Sequence, residues 1–308
     1  MPLLVLLALF GFVAQLVDGS LGMGYGVTST TMLIAVGVAP AAASAAVHFA
    51  QIGTTLASGI SHHRLGNTDW RTVSILAVPG FVGAFCGAVF LVSLDAALAK
   101  PLVAAILFLL GCYVLFRFLV LGGRRPQFQG RNSPFFLVPM GLFGGTLDAI
   151  GGGGWGPVGT TTLLSSGRLE PRKVVGSIST TEFVVAVGGS LGFLFAMHQE
   201  EIPWTFALAL LVGGVFAAPI AAYLVRVLAP RVLGVAAGGL IILTNTKTLA
   251  EWAGASGTTV LALAVVVLAA WVAAIRWAVR QERAAKSSNL TDLVACASPP
   301  SPTTRSAP

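Results

Sequence analysis

Asp18-Gly-Ser-Leu-Gly-Met-Gly-Tyr-Gly26 and Asp148-Ala-Ile-Gly-Gly-Gly-Gly-Trp-Gly156 are two versions of one stretch, and each interrupts an otherwise apolar segment. Setting Asp18 on Asp148 matches Gly22, Gly24 and Gly26 with Gly152, Gly154 and Gly156, and Thr30, Thr31 and Leu33 with Thr160, Thr161 and Leu163. That makes seven identities in the sixteen positions from 18 to 33, clustered on Gly and Thr. Broken apolar segments at corresponding places in two halves of a chain point to the binding site of a membrane transporter. The pair predicts an all-α polytopic membrane protein with an inverted repeat. Each half is a broken or re-entrant helix pair plus three spans, and one extra span follows at the C-terminal end.

Composition agrees. Of the 308 residues, 56% are hydrophobic and 9% charged, whereas a soluble globular chain carries roughly a quarter charged residues. Mean hydropathy is +0.87, and apolar runs long enough to cross a bilayer recur along the chain. The net charge of +7 is therefore no argument for nucleic acid, because basic residues in a membrane protein mostly mark cytoplasmic loops. Cys86, Cys112 and Cys296 lack metal-ligand spacing and do not suggest a disulfide framework. No basic residue precedes Asp18, so the first segment lacks the n-region of a cleaved signal peptide and is expected to be retained.

The first half covers 1–121, with apolar segments at 3–17, 21–36, 40–60, 71–93 and 97–120 and a polar loop at 61–70. A linker at 122–133, rich in Arg, Gly and Pro, separates it from the second half at 134–248. There the segments are 134–150, 153–166, 171–196, 203–226 and 230–246. An extra span occupies 253–283, and the Ser-, Thr- and Pro-rich tail at 284–308 reads as disordered. Five loops are basic, around Arg64, Arg124, Arg172, Arg226 and Arg280, and the intervening loops are neutral, balanced or acidic. All five fall on one side if each broken pair returns to its starting side. The positive-inside rule makes that side cytoplasmic, with the N-terminus outside and the C-terminus inside a bacterial-type cell membrane.

A helix that stops at membrane depth leaves amide groups that lipid cannot satisfy, so the break must face protein or a water-filled cavity. Glycine lets a ligand approach the backbone, and the following half-helix offers free N–H groups and positive dipole potential. Two such ends facing each other suit a small oxyanion. The expected donors are the backbone N–H groups of Gly24, Gly26, Gly154 and Gly156, helped by Thr30, Thr31, Thr160, Thr161, Ser179 and Gln51. The competing reading is that the glycines only permit close helix packing. Asp18 and Asp148 likewise carry two readings: they cap the half-helices that follow, or they carry a coupled proton. Glu182 and His48 are further proton candidates. A one-residue shift at Pro40 and Pro171 sets Gln51 opposite Glu182 and His48 opposite Ser179; such polar residues line a cavity or simply hydrogen-bond between helices. His62, His63 and His198 read as loop residues. No metal site or cofactor is expected. No phosphate loop, zinc-protease helix or nucleophile elbow occurs, so the chain reads as a non-enzyme.

The doubled break with its Thr-rich half-helix, and Pro40 or Pro171 opening the next span, resembles the TauE/SafE sulfite-exporter family over nearly all of 8–280. Gly151-Gly-Gly-Gly-Trp-Gly-Pro157 through Ser177-Ile-Ser-Thr-Thr181 is similar to that family's strongest signature, and 18–26 resembles a branch lacking the unbroken glycine run. The resemblance implies a cell-membrane permease exporting sulfite or related organosulfur anions, with proton coupling. The expected partners are a small anionic substrate and the lipid bilayer, with a homo-oligomer left open. Two alternatives stand beside it: a cation or cation-coupled carrier using the intramembrane acids, and a non-transporting membrane assembly subunit.

Overall fold

The structure is a computed structural model that describes residues 2–21, 23–120, 132–166, 168–198, 201–224 and 230–297. Among them the regular structure is helical, with eleven α-helices and no strand. The first five are α1 (Pro2–Leu21), α2 (Tyr25–Ala35), α3 (Pro40–Arg64), α4 (Trp70–Ser93) and α5 (Ala96–Leu119). The next five are α6 (Pro134–Gly151), α7 (Trp155–Ser166), α8 (Pro171–Ala196), α9 (Trp204–Leu224) and α10 (Pro230–Trp252), and α11 (Gly257–Ala297) follows.

Pro40, Pro134 and Pro171 stand in the first turn of α3, α6 and α8, where the missing N–H costs nothing and φ is already helical. Helix α1 runs through 17 to Leu21, so α2 begins at Tyr25 and not at 21, and three other helices also run past the ends that hydropathy suggests. Helix α3 continues through Ser61-His-His-Arg64 instead of turning to loop at 61, and its His and Arg residues sit favourably in the last turn. Helix α10 passes 246 to Trp252, with Lys247 and Glu251 paired one turn apart at 3.8 Å. Helix α11 continues to Ala297, beyond 284, through a stretch without Gly or Pro. Hydropathy marks where apolar character ends. The backbone of α3 and α10 stops at a breaker, left-handed Gly66 and Gly254.

Helices α1–α5 and α6–α10 make matching contacts. Helix α1 packs on α9 as α6 packs on α4; α3 packs on α9 as α8 packs on α4; α3 meets α8, and α5 meets α10. The match extends to single residues. Gly11 lies against the Leu210 carbonyl and Gly141 against the Leu76 carbonyl; Gly214 lies against the Tyr25 ring and Gly80 against the Trp155 ring. Small residues let backbones approach where lipid supplies no hydrophobic drive between helices. At α4–α6, Gly83 sits on the Leu142 carbonyl and Gly145 on the Gly80 carbonyl.

Among the described residues five helices are long and apolar enough to cross a membrane: those over Trp70–Ser93, Ala97–Leu119, Pro134–Gly151, Lys173–Ala196 and Gly257–Ala284. Large apolar side chains such as Phe135, Phe143, Phe216 and Leu261 face outward. This is a multi-pass helical membrane protein. Replacing Gly145 by Ala drives a methyl into the Gly80 carbonyl. It should destabilise the fold by about 1–3 kcal/mol, as overpacking does. Gly257→Ala, with nothing near the new methyl, should be neutral, and apparent melting temperatures of the two variants in detergent check both.

Candidate functional site

At the second break α6 ends at Gly151, Gly152 turns left-handed at φ 67°, and α7 begins at Trp155. Only Gly takes such a backbone without strain. Asp148, in the last turn of α6, reaches across the break, and its Oδ1 accepts the Trp155 N–H at 2.8 Å. The first break repeats the device: Gly24 has φ 119°, and Asp18 Oδ1 accepts the Tyr25 N–H at 3.4 Å, again seven residues on. Each carboxylate thus caps the half-helix after it, which is one of the two roles its sequence position allows. With 11 and 12 residues, α2 and α7 are about 16–18 Å long, roughly half a bilayer core. The capped residues also anchor the half-helices sideways: the Tyr25 hydroxyl donates to the Leu210 carbonyl at 3.2 Å, and Trp155 Nε1–H to the Ile178 carbonyl at 3.2 Å.

The breaks cross in backbone contact. A methyl on Gly26 would strike the Gly152 carbonyl, and one on Gly153 would strike the amide of Val27. Thr30 Oγ1 donates to the Gly152 carbonyl at 3.2 Å across the same crossing. Backbone therefore fills the space directly between Gly26 and Gly153. Gly24 and Gly154 precede the two half-helices, and Gly156 lies in the first turn of α7. Hydroxyls surround the crossing: Thr28, Ser29, Thr30, Thr31, Thr160 and Thr161 are all buried. Thr28 Oγ1 and Ser29 Oγ have no hydrogen-bond partner, while Thr161 donates to the Pro157 carbonyl. Asn245 on α10 donates from Nδ2 to Thr31 Oγ1 at 3.3 Å. Sequence reasoning passed over Asn245; its signal is an amide inside an apolar span.

The matched positions Gln51 and Glu182 meet, Gln51 Nε2 donating to Glu182 Oε1 at 3.0 Å in a fully buried setting. His48 and Ser179 are both buried. The imidazole Nε2 lies 3.3 Å from Asp148 Oδ2, an ion-pair contact rather than an aligned hydrogen bond. Its Nδ1 lies 2.9 Å from the Ser44 carbonyl, and the ring edge meets Phe193 at 5.6 Å. Ser44, which the sequence does not flag, donates to the Ala149 carbonyl at 2.6 Å and ties α3 to the end of α6.

A carbonyl only accepts, so Nδ1 carries a hydrogen. Nε2 then faces Asp148 Oδ2 at 3.3 Å. No described contact gives Asp18 an imidazole. Asp18, Asp148 and Glu182 lie within Coulombic reach of one another. Among the described residues no three His, Cys, Asp or Glu side chains form a metal-binding group.

Two broken helix pairs crossing inside a multi-pass helical protein define a membrane transporter. Residues 7–248 match the family described as Sulfite exporter TauE/SafE, and the chain belongs to that family. It is 49% identical over 256 residues to "Probable membrane transporter protein YtnM" of Bacillus subtilis (strain 168), covering 82% of this chain and 85% of that one. It is 27% identical over 195 residues to "Probable membrane transporter protein YdhB" of the same organism, covering 63% and 78%. No solved structure matches it.

The Gln51–Glu182 contact gives a direct test of the centre. Gln51→Leu strands a buried carboxyl and should cost about 1–3 kcal/mol, the penalty for a buried polar group left unpaired. Gln51→Leu/Glu182→Leu should recover most of it. A double-mutant comparison of melting temperatures reads the coupling.

Proposed function

We propose that the protein is a secondary carrier in the cell membrane that exports sulfite or a related small organosulfur anion in exchange with its own capping carboxylates. The observation that carries this reading is the pair of caps. Asp18 and Asp148 hold first-turn N–H groups of α2 and α7, the kind of donor that an oxyanion takes at a helix N-terminus. A carboxylate and a substrate oxyanion compete for these donors. Proton binding to a carboxylate weakens its hold and yields the donors to the anion, so anion and proton occupancy are linked. Separation of the crossing at Gly26 and Gly152–Gly153 opens the space. Gly24, Gly26, Gly154 and Gly156 then present backbone N–H groups, and Thr30, Thr31, Thr160, Thr161, Ser179 and Gln51 complete the lining. Of the proton candidates Asp18, His48, Asp148 and Glu182, the His48–Asp148 pair is favoured by its ion-pair contact of 3.3 Å.

The matched contacts of the two halves support an inverted repeat, since its two-fold relation would exchange these contacts. The basic loops support a cytoplasmic C-terminus and an outside N-terminus. The three neighbouring carboxyls favour a second reading, a cation carrier.

Flux from proteoliposomes loaded with sulfite, sulfate, thiosulfate or sulfoacetate separates these. Sulfite or one organosulfur anion should leave faster than from empty-membrane controls, and a pH gradient should accelerate it. Asp148→Asn keeps an oxygen for Trp155 N–H but loses the titratable charge, so it should transport without that acceleration. His48→Gln should behave alike. Flux that ignores every anion and requires sodium or a divalent ion would replace this reading with the cation carrier.

A further inference from the structure

Helix α11 stands apart from the machinery described above. The family match ends at residue 248, and α11 begins at Gly257. It packs mainly on α10. Two tryptophan contacts hold it there. Trp271 Nε1–H donates to the Val235 carbonyl at 3.1 Å while its indole sits against Gly239, and Arg231 stacks 5.8 Å from the Trp277 ring centroid. Away from α10 the helix carries an open, shallow groove of about 670 Å³ lined by its own exposed residues.

The groove is built from two adjacent rows at four-residue spacing. One row runs Leu268, Val272, Arg276, Arg280; the other ends in Ala269, Ala273, Trp277. Residues four apart lie on one face of a helix. The groove is therefore apolar along one end, shallow where the alanines form its floor, and doubly cationic at the other end. From Val265 to Ala273 the apolar part spans nine residues, about 12 Å from first to last at 1.5 Å rise. That is close to half of the roughly 30 Å hydrocarbon core. Trp277 marks the interface, where amphipathic rings gather. Arg231, across the Trp277 ring, has a buried Nε without an acceptor. The charged end thus lies at headgroup depth with guanidinium donors, and the apolar end reaches the bilayer centre.

We propose that α11 carries a binding site for one anionic glycerophospholipid, with an acyl chain along Leu268, Val272 and the alanine floor and the phosphate between Arg276 and Arg280. Guanidinium groups bind phosphate oxygens in bidentate geometry, and basic pockets at the membrane face select anionic headgroups. A zwitterionic lipid fills the same groove but brings its own cation to the two arginines.

Native mass spectrometry of the full chain in detergent, with added phosphatidylglycerol or phosphatidylcholine, tests this. Phosphatidylglycerol should stay bound through detergent exchange and phosphatidylcholine should not. Arg276→Gln/Arg280→Gln should reduce retention roughly fivefold per arginine, the worth of one basic side chain near an anionic surface. Ala269→Leu/Ala273→Leu, which fills the floor at a lipid-facing position and leaves all charge in place, should also reduce it. Arg64→Gln/Arg71→Gln, which removes equal charge from exposed positions elsewhere, should leave it unchanged. Equal retention of both lipids, or equal loss in the Arg64/Arg71 variant, would overturn the site. So would a dimer mass that disappears in the alanine-to-leucine variant, because the groove would then hold a second copy. None of these outcomes depends on the transported anion.

Discussion

A backbone that breaks at membrane depth needs partners for amides that lipid cannot satisfy, and here one residue type supplies them twice. Asp18 holds Tyr25 N–H and Asp148 holds Trp155 N–H. Without those bonds α2 and α7 would end in exposed donors inside an apolar layer. With them, each half-helix starts at a fixed point and can be aimed. The two capped aromatics then fix direction through carbonyls on α9 and α8. Gly24 and Gly152 supply the left-handed turns that let the chain reverse within reach of its own aspartate. The cap is therefore the condition on which the crossing, the hydroxyl belt and the buried acids all rest.

Close backbone contact follows from the same economy of space. At the crossing, Gly26 and Gly153 touch through main-chain atoms, and any side chain would separate the half-helices. Closeness brings Thr30 to the Gly152 carbonyl, and Asn245 meets Thr31 in the same layer. Thr28 and Ser29 retain hydroxyls without partners. A buried unpaired hydroxyl is costly.

Much of this was legible in the chain because it repeats. The doubled Asp-to-Gly stretch located both breaks, the cap was one of the two readings open to Asp18 and Asp148, and Pro40 and Pro171 marked the starts of α3 and α8. Aligning the halves also set Gln51 opposite Glu182, which are bonded in the fold. Helix ends at Arg64 and Trp252 were not legible, since hydropathy reports the membrane edge and not the last hydrogen-bonded turn. Nor was the contact between His48 and Asp148. It joins the halves at positions that the repeat does not equate, so no alignment of one half on the other can show it. Ser44 and Asn245 were missed for the same reason.

Those departures from symmetry have a physical cause. Where matched positions touch, they lie where the halves meet and face each other. Two glutamates there would set like charges in a low-dielectric centre, a costly arrangement. Gln51 opposite Glu182 turns the same contact into a charge-assisted hydrogen bond. The aspartates pose a similar problem, because two buried carboxylates within Coulombic reach oppose one another. His48 relieves it on one side only, by placing Nε2 against Asp148 while Ser44 fixes the other ring nitrogen. Equivalent caps then stand in different surroundings: both hold a backbone amide, and Asp148 also faces an imidazole. The difference comes from His48 on α3, whose counterpart on α8, Ser179, has no charge to offer.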